Sequence, residues 1–147
     1  MPQLTFAQKA VIVDHDRILL VRKSAADPHN PGLWELPGGR LKTVLEPLDD
    51  QITREVREET GFHVVPKPTI VDMWDWQMMV GRASVRVIAV SRLCNVMGEP
   101  GKPHRAPGDF LDELAWYPFD QLPRLAVIKS QRPTMERLPD FILALSG

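Results

Sequence analysis

The stretch that decides the fold is Gly38-Gly39-Arg40-Leu41-Lys42-Thr43-Val44-Leu45-Glu46, followed by 47–62 with the run Arg54-Glu55-Val56-Arg57-Glu58-Glu59-Thr60-Gly61-Phe62. The range 47–60 is the strongest helix candidate, because proline suits the first turn of a helix and glycine suits its C-terminal cap. The Pro-Gly-Gly sequence at 37–39 predicts a turn whose backbone can approach a ligand closely. The sequence therefore predicts a turn, a loop and a helix in succession.

Three glutamates of this helix lie on or beside the face that should pack. At ~100° per residue, the apolar side chains form one stripe, which consists of Leu48, Ile52 and Val56. Glu59 falls inside that stripe, with Glu55 at its edge and Glu58 close by. Carboxylates three and four residues apart repel each other, and the helix dipole disfavours anions in the last turn. A divalent cation would resolve this conflict, because Mg²⁺ prefers hard oxygen ligands.

The same glutamates also fit a charged, solvated helix end. Glutamate is a good helix former, and Arg54 and Arg57 are available to pair with the acids. The Pro-Gly-Gly turn favours the metal site over this alternative, since carbonyls freed in such a turn can coordinate a cation.

These residues resemble the signature of the Nudix hydrolases. The family pattern is G-x5-E-x7-R-E-U-x-E-E-x-G-U, with U a large apolar residue, and its second half matches at every fixed position from Glu46 to Phe62. The flanking Trp34-Glu35-Leu36-Pro37-Gly38-Gly39 resembles the strand and turn before this pattern in the MutT-like branch. Six residues separate Gly39 from Glu46 where the family has five, so the loop carries a one-residue insertion.

The resemblance implies an α+β protein with an α/β/α sandwich, in which a mixed central β-sheet carries a loop-helix-loop catalytic motif. The rest of the chain is compatible with this fold, because its apolar runs predict strands and its glycine- and proline-rich stretch predicts a surface loop. The predicted strands are 10–13, 18–21, 64–77, 83–93 and 114–117, the loop is 96–109, and a second helix is 131–145. Pro139 is expected to break that helix or to restart it. No linker divides the chain, so 1–147 is expected to form a single Nudix hydrolase domain.

The resemblance also implies an activity and assigns roles by position. It implies Mg²⁺-dependent hydrolysis of a nucleoside diphosphate linked to a group X, with Mn²⁺ as an alternative metal and water attacking phosphorus. The implied metal ligands are the carbonyl of Gly38 and the carboxylates of Glu55, Glu58 and Glu59. Arg54 is expected to orient a glutamate by a charge-assisted hydrogen bond, so the catalytic set is Arg54, Glu55, Glu58 and Glu59.

Substrate-binding residues vary more within the family. Arg22 and Lys23 end a predicted strand and are candidates for phosphate binding, and Gly39 is a candidate through its backbone. Glu113 is a candidate general base or metal ligand, with Asp109, Asp112 or a helix glutamate as alternatives. The candidates for stacking on a base are Trp34, Trp74, Trp76, Phe110 and Trp116, and each of them also fits a hydrophobic core.

Several substrates stay open. The MutT-like stretch favours a nucleoside triphosphate and therefore a pyrophosphohydrolase. Hydrolases of ADP-ribose, nucleotide sugars or dinucleoside polyphosphates are the alternatives. ADP-ribose hydrolases tend to carry a proline about 15 residues past the signature, where Gln77 and Met78 stand here. Dinucleoside polyphosphate hydrolases tend to carry a tyrosine slightly later, where Met79 and Val80 stand. A non-catalytic nucleotide-binding Nudix domain is a further alternative, although such domains typically lose signature glutamates.

Composition excludes several classes of protein. The chain has 147 residues, of which 18 are lysine or arginine and 19 are aspartate or glutamate, so its net charge of −1 gives no general attraction to nucleic acid polymers or membranes. No apolar run is long enough to span a bilayer, and 1–5 lack the features of a secretory signal. One cysteine, Cys94, excludes an internal disulfide. The expected setting is cytoplasmic, the expected partner a small nucleotide, and the expected state a monomer or homodimer.

Overall fold

The computed structural model describes residues 3–146, apart from the side chains of Pro107 and Ser146. Met1, Pro2 and Gly147 lie outside the described residues. The strands are β1 Gln3–Asp14, β2 Arg17–Lys23, β3 Trp34–Glu35, β4 Gly38–Arg40, β5 Val64–Val80, β6 Ala83–Val96 and β7 Leu111–Pro118. The α-helices are α1 Leu48–Thr60 and α2 Arg132–Ser146. Neither helix is long and apolar enough to cross a membrane.

The strands form one mixed sheet. Its order is β3-β2-β1-β6-β5, with β4 pairing to β1 and β7 pairing to β2. The pair β1–β6 is parallel, with Gln3 opposite Val85 and Ile12 opposite Cys94, whereas the other pairs are antiparallel. The predicted mixed sheet is confirmed.

The two helices lie on opposite faces of this sheet. Ala10 and Ile12 of β1 pack in the cluster that contains the α1 residues Ile52 and Val56. Val11 points the other way, into the cluster that contains Met135 and Leu138 of α2. Because successive side chains of a strand alternate between faces, β1 supplies both cores. The predicted α/β/α sandwich is confirmed.

Three local predictions were wrong in detail. The Pro-Gly-Gly turn continues into a strand, because 38–40 pair with 7–9 of β1 in antiparallel register. Leu48 is 46% exposed, so the apolar stripe of α1 that packs is Ile52 and Val56 alone. Pro139 lies inside an uninterrupted α2, where packing of Met135 and Leu138 into the core outweighs the proline's local cost.

The C-terminal end of α1 is held by a distant loop. Gly61 caps the helix in the left-handed conformation, as predicted, and its amide donates to the carbonyl of Arg57. The loop 97–106 then supplies donors to the free carbonyls of this end: Gly101 N to Gly61 O, His104 N to Glu58 O and Arg105 Nε to Glu59 O, at 2.7, 2.7 and 3.0 Å. These bonds fix the turn of helix that carries the last two glutamates.

The crossing of Gly61 and Gly101 gives a testable prediction. At Gly61 φ is +78°, and a Cβ there would lie 2.1 Å from the carbonyl oxygen of Gly101. We expect Gly61→Ala to lower the free energy of unfolding by about 2 kcal/mol or more, measured by urea denaturation. Gly81→Ala is the matched control, since φ is +60° there but nothing lies within 4 Å. Equal losses in the two variants would show that the backbone crossing does not constrain the fold.

Candidate active site

A cleft with a volume of about 680 Å³ opens where α1 meets the sheet. Its wall includes Lys9, Glu35, Gly39, Glu55, Glu59 and Trp76. This cavity is called the cleft below. The turn before the helix and two of the three helix glutamates thus meet around one space.

Glu59 is a deeply buried acid of the cleft, with 4% of its surface exposed. Its Oε2 accepts a hydrogen bond of 2.8 Å from the amide of Gly38. Gly38 has φ +135°, and a Cβ there would lie 2.1 Å from the carbonyl oxygen of Gln8, so only glycine fits. Burial raises the pKa of Glu59 to about 8, although the charge of Lys9 opposes this shift.

Glu55 lies one turn earlier, against the backbone of Gly39. A Cβ at Gly39 would lie 3.1 Å from its carboxylate, so the missing side chain lets backbone and acid approach. Burial raises the pKa of Glu55, whereas the positive charges of Arg54 and Lys42 lower it. Gln51 fixes this approach, because its amide donates to the carbonyl of Gly39 at 2.8 Å.

Arg54 joins the carboxylates on the outer side of the helix. Its Nε lies 2.9 Å from Glu46, and its Nη1 lies 3.3 Å from both Glu55 and Glu58. The insertion in the loop does not prevent the contact with Glu46, because the extra length bulges into solvent at Val44 and Leu45. The Nη2 atom of Arg54 is buried and has no hydrogen-bond partner within the described residues.

The predicted cluster of three metal-binding carboxylates is not assembled in this geometry. Among residues 3–146, no group of three or more histidine, cysteine, aspartate or glutamate side chains is arranged to hold a metal ion. Glu58 does not line the cleft, because Arg54 holds its carboxylate at the outer side. Glu55 and Glu59 still fit Mg²⁺, since both are buried acids whose charged forms are only partly compensated and whose hard oxygens face the cleft.

Sequence reasoning missed a buried cation in the same place. Lys9 is 9% exposed, and its Nζ donates to Oε1 of Glu35 at 3.1 Å and to the carbonyl of Gly38 at 3.0 Å. Burial would lower the pKa of Lys9, but the attraction of Glu35 and Glu59 outweighs it and raises the pKa. The available signal was a lysine directly before the apolar run 10–13, at an inward position of β1.

Two predicted substrate residues lie away from the cleft. Arg22 pairs with Asp112 and Glu113 at 3.0 Å each, on the exposed surface where β2 and β7 are neighbours. The predictions for Arg22 and Glu113 are therefore not supported, because cross-strand pairing directs these side chains at each other. Of the three loop acids, only Asp109 lines the cleft, and Lys23 donates to its carbonyl at 3.1 Å.

The aromatic candidates divide between core and cleft. Trp34 does not line the cleft but is buried in the core, where its ring meets Tyr117 edge-on at 4.9 Å. Trp116 packs edge-on against Phe62 and does not line the cleft either. By contrast, Trp74 and Trp76 do line it; they lie two residues apart on one face of β5 and are partly buried. The buried indole nitrogen of Trp74 has no partner among the described residues.

The α/β/α sandwich and the loop-helix-loop motif at the cleft give this chain the Nudix fold. The chain is a member of the Nudix hydrolase family, because 4–138 match the family model described as NUDIX domain. A solved structure of similar size agrees: the MutT NUDIX hydrolase from Burkholderia pseudomallei has a TM-score of 0.69 and 28% identity, covering 92% of this chain and 98% of that one.

Two curated proteins are similar over part of their length. The ADP-ribose pyrophosphatase of Mycobacterium tuberculosis is 35% identical over 92 residues, which cover 63% of this chain and 42% of that protein. The 8-oxo-dGDP phosphatase NUDT18 of Homo sapiens is 30% identical over 113 residues, which cover 75% of this chain and 31% of that protein. The chain thus spans less than half the length of either curated relative.

Glu59 sets a pH dependence of the metal-free protein. Its pKa is about 8 in the folded state against an ordinary 4.5, so between pH 5 and 8 the folded state keeps a proton that the unfolded state has lost. The free energy of unfolding therefore falls as pH rises through this range. Glu59→Gln carries no such proton, and we expect its stability advantage over wild type to grow from pH 5 to 8, to on the order of a few kcal/mol.

Urea denaturation in EDTA at three pH values measures this difference. Glu58→Gln is the matched control for the loss of a carboxylate, since this acid lies on the same turn but outside the cleft. A Glu59→Gln difference that does not change with pH would contradict the assignment.

Proposed function

We propose that this protein is a Mg²⁺-dependent hydrolase of phosphoric anhydride bonds in a nucleoside diphosphate linked to a group X. The observation that carries the proposal is the pair of buried glutamates, Glu55 and Glu59, which face the cleft beside the glycine turn. Two acids buried without full compensation are costly, and a bound cation would remove that cost.

The carboxylates of Glu55 and Glu59 would hold the metal together with the carbonyl of Gly38. Glu58 would join them only if its carboxylate left Arg54, which now holds it at 3.3 Å. When bound, Mg²⁺ or Mn²⁺ would activate a water molecule and stabilise the charge that develops on the phosphate. In the reaction, water attacks phosphorus, and the bond from phosphorus to the bridging oxygen breaks.

Arg54 is proposed as a positioning residue. Its guanidinium contacts Glu46, Glu55 and Glu58 and so orients the helix acids relative to one another. Its Nη2 is buried without a partner among the described residues, which leaves the positive charge of this group to act on the neighbouring carboxylates.

Asp109 is proposed as the general base in place of Glu113. It lines the cleft, and its charge contributes to raising the pKa of Glu55, so the two acids face the same space. A carboxylate beside the metal-binding acids is suited to accept the proton of the attacking water. Asp112 and Glu113 are engaged by Arg22 outside the cleft.

The remaining wall of the cleft suits a nucleotide. Lys23, Arg40 and Lys42 line it and offer positive charge to phosphate oxygens, and the backbone of Gly39 adds a close approach. Trp74 and Trp76 offer partly buried aromatic faces, on which a base of any identity can stack. We therefore propose a small nucleotide as the substrate. As expected from the sequence, we also propose that the protein is cytoplasmic and acts as a monomer or homodimer.

Among these substrates a nucleoside triphosphate comes first. The Trp34–Gly39 stretch resembles the MutT-like branch, and one similar structure, which covers 92% of this chain, is a MutT NUDIX hydrolase. ADP-ribose is the second candidate, favoured by 35% identity to an ADP-ribose pyrophosphatase. A domain that only binds nucleotides is disfavoured, because the three signature glutamates are all present.

A substrate panel tests the proposal directly. It contains canonical and oxidised nucleoside triphosphates, 8-oxo-dGDP, ADP-ribose and a dinucleoside polyphosphate. The products are converted to phosphate by a coupling pyrophosphatase or phosphatase, and phosphate release is measured with and without Mg²⁺. We expect turnover that needs the metal and that falls at least ~10²-fold in Glu59→Gln, because one metal-binding acid is lost. A folded protein that binds nucleotides but turns over none of them with Mg²⁺ would favour the binding domain instead.

A second prediction concerns the base. We expect Asp109→Asn to lower kcat by ~10²-fold with little change in KM, since general-base catalysis typically contributes 10²- to 10⁴-fold. Asp112→Asn is the matched control from the same loop and strand junction, and it should retain nearly full kcat. Equal effects of the two substitutions would exclude Asp109 and leave a helix glutamate as the base.

A further inference from the structure

The cleft contains one feature that hydrolysis does not require, the buried ammonium of Lys9. It lies in the middle of β1, where its neighbours Gln8 and Ala10 are fully enclosed. Burying an ammonium is costly unless acids and carbonyls surround it. Lys9 has both, because its Nζ donates to Glu35 at 3.1 Å and to the carbonyl of Gly38 at 3.0 Å.

The position of this ammonium coincides with the proposed metal-binding atoms. Gly38 is held on both sides, since its amide donates to Glu59 and its carbonyl accepts from Lys9. Lys9 also attracts the charges of Glu59 and Glu55. A divalent ion bound by Glu59 and the carbonyl of Gly38 would therefore lie beside a fixed positive charge, and like charges repel strongly in a buried site.

We propose that Lys9 is a built-in counter-cation of this centre, a positioning residue that competes with the divalent ion for the Gly38 and Glu59 oxygens. While no metal is bound, its ammonium balances the charge of Glu35 and binds the carbonyl of Gly38, and so holds the turn against β1. The same charge weakens the binding of a metal ion to the free protein. This inference rests on the proposed metal site.

Glu35 is expected to affect metal affinity in the opposite direction to Lys9. Its carboxylate is 5% exposed and binds Lys9, while Lys23 lies 4.0 Å away. Removing the charge of Glu35 releases Lys9 to act on Gly38 and Glu59 alone. Loss of Lys9 and loss of Glu35 should therefore shift metal affinity in opposite directions, which a merely structural pair would not do.

Mn²⁺ binding to the substrate-free protein tests the inference, with the free ion followed by electron paramagnetic resonance. We expect Lys9→Met to bind Mn²⁺ about tenfold more tightly than wild type and Glu35→Gln to bind it several-fold more weakly. Lys23→Met is the control for general charge, because this lysine lines the same cleft without contacting Gly38. Its effect should be clearly smaller than that of Lys9→Met.

Thermal unfolding in EDTA and in Mn²⁺ provides a second readout. We expect Lys9→Met to have a lower Tm than wild type in EDTA and a larger increase in Tm on adding Mn²⁺. If Lys9→Met does not fold, the weaker binding expected of Glu35→Gln carries the test, since Lys9 keeps its bond to Gly38 in that variant.

The outcomes separate this inference from the proposed function. Three results would overturn the role of Lys9 and leave the proposed function intact. Lys9→Met could bind Mn²⁺ with the affinity of wild type, or Lys23→Met could gain as much affinity as Lys9→Met. The third result is that Lys9→Met and Glu35→Gln change the affinity in the same direction. If neither wild type nor Lys9→Met binds Mn²⁺, the proposed metal site fails and the inference fails with it.

Discussion

The hydrogen bond from the amide of Gly38 to the carboxylate of Glu59 joins the two halves of the motif. It connects β4 to α1 across 2.8 Å and requires a glycine, because any Cβ at Gly38 would collide with the backbone of β1. The parallel pair β1–β6 and the antiparallel pair β1–β4 hold that backbone in place. The sheet therefore determines where the acids of the helix can lie.

The site contains buried acids, Glu55 and Glu59, and neighbouring groups offset only part of the energetic cost of burying their charge. Lys9 lies on the cleft side, and Arg54 contacts the acids on the outer side. Gln51 adds a neutral link, since it is fully buried and bonds to both Gln8 and the carbonyl of Gly39. Polar groups buried in this way specify one arrangement of helix and turn, because each alternative would leave a donor or acceptor unsatisfied. The neighbours do not fully compensate the charged form of Glu59, as its raised pKa shows. This carboxylate is therefore the part of the site best suited to a cation.

Much of the fold could be predicted from local sequence, and the site only in part. The signature, the cap at Gly61 and the first two strands depend on neighbours a few residues apart, and these predictions were confirmed. Arg22 and Glu113 meet because β2 and β7 pair in a register that joins residues far apart in the chain, which no local pattern encodes. The same holds for Lys9, whose partners Glu35 and Gly38 come from other elements.

The inserted residue before the helix shows how the family signature tolerates change. The 41–47 loop accommodates the extra length by exposing Val44 and Leu45, at 95% and 87%, while Glu46 still reaches Arg54. The contact between Glu46 and Arg54 is thus kept by the reach of the two side chains, although the loop has one residue more than the family pattern. Evolution can lengthen this segment without loss of the ion pair, so relatives that break the strict spacing of the signature can keep the geometry that the signature represents.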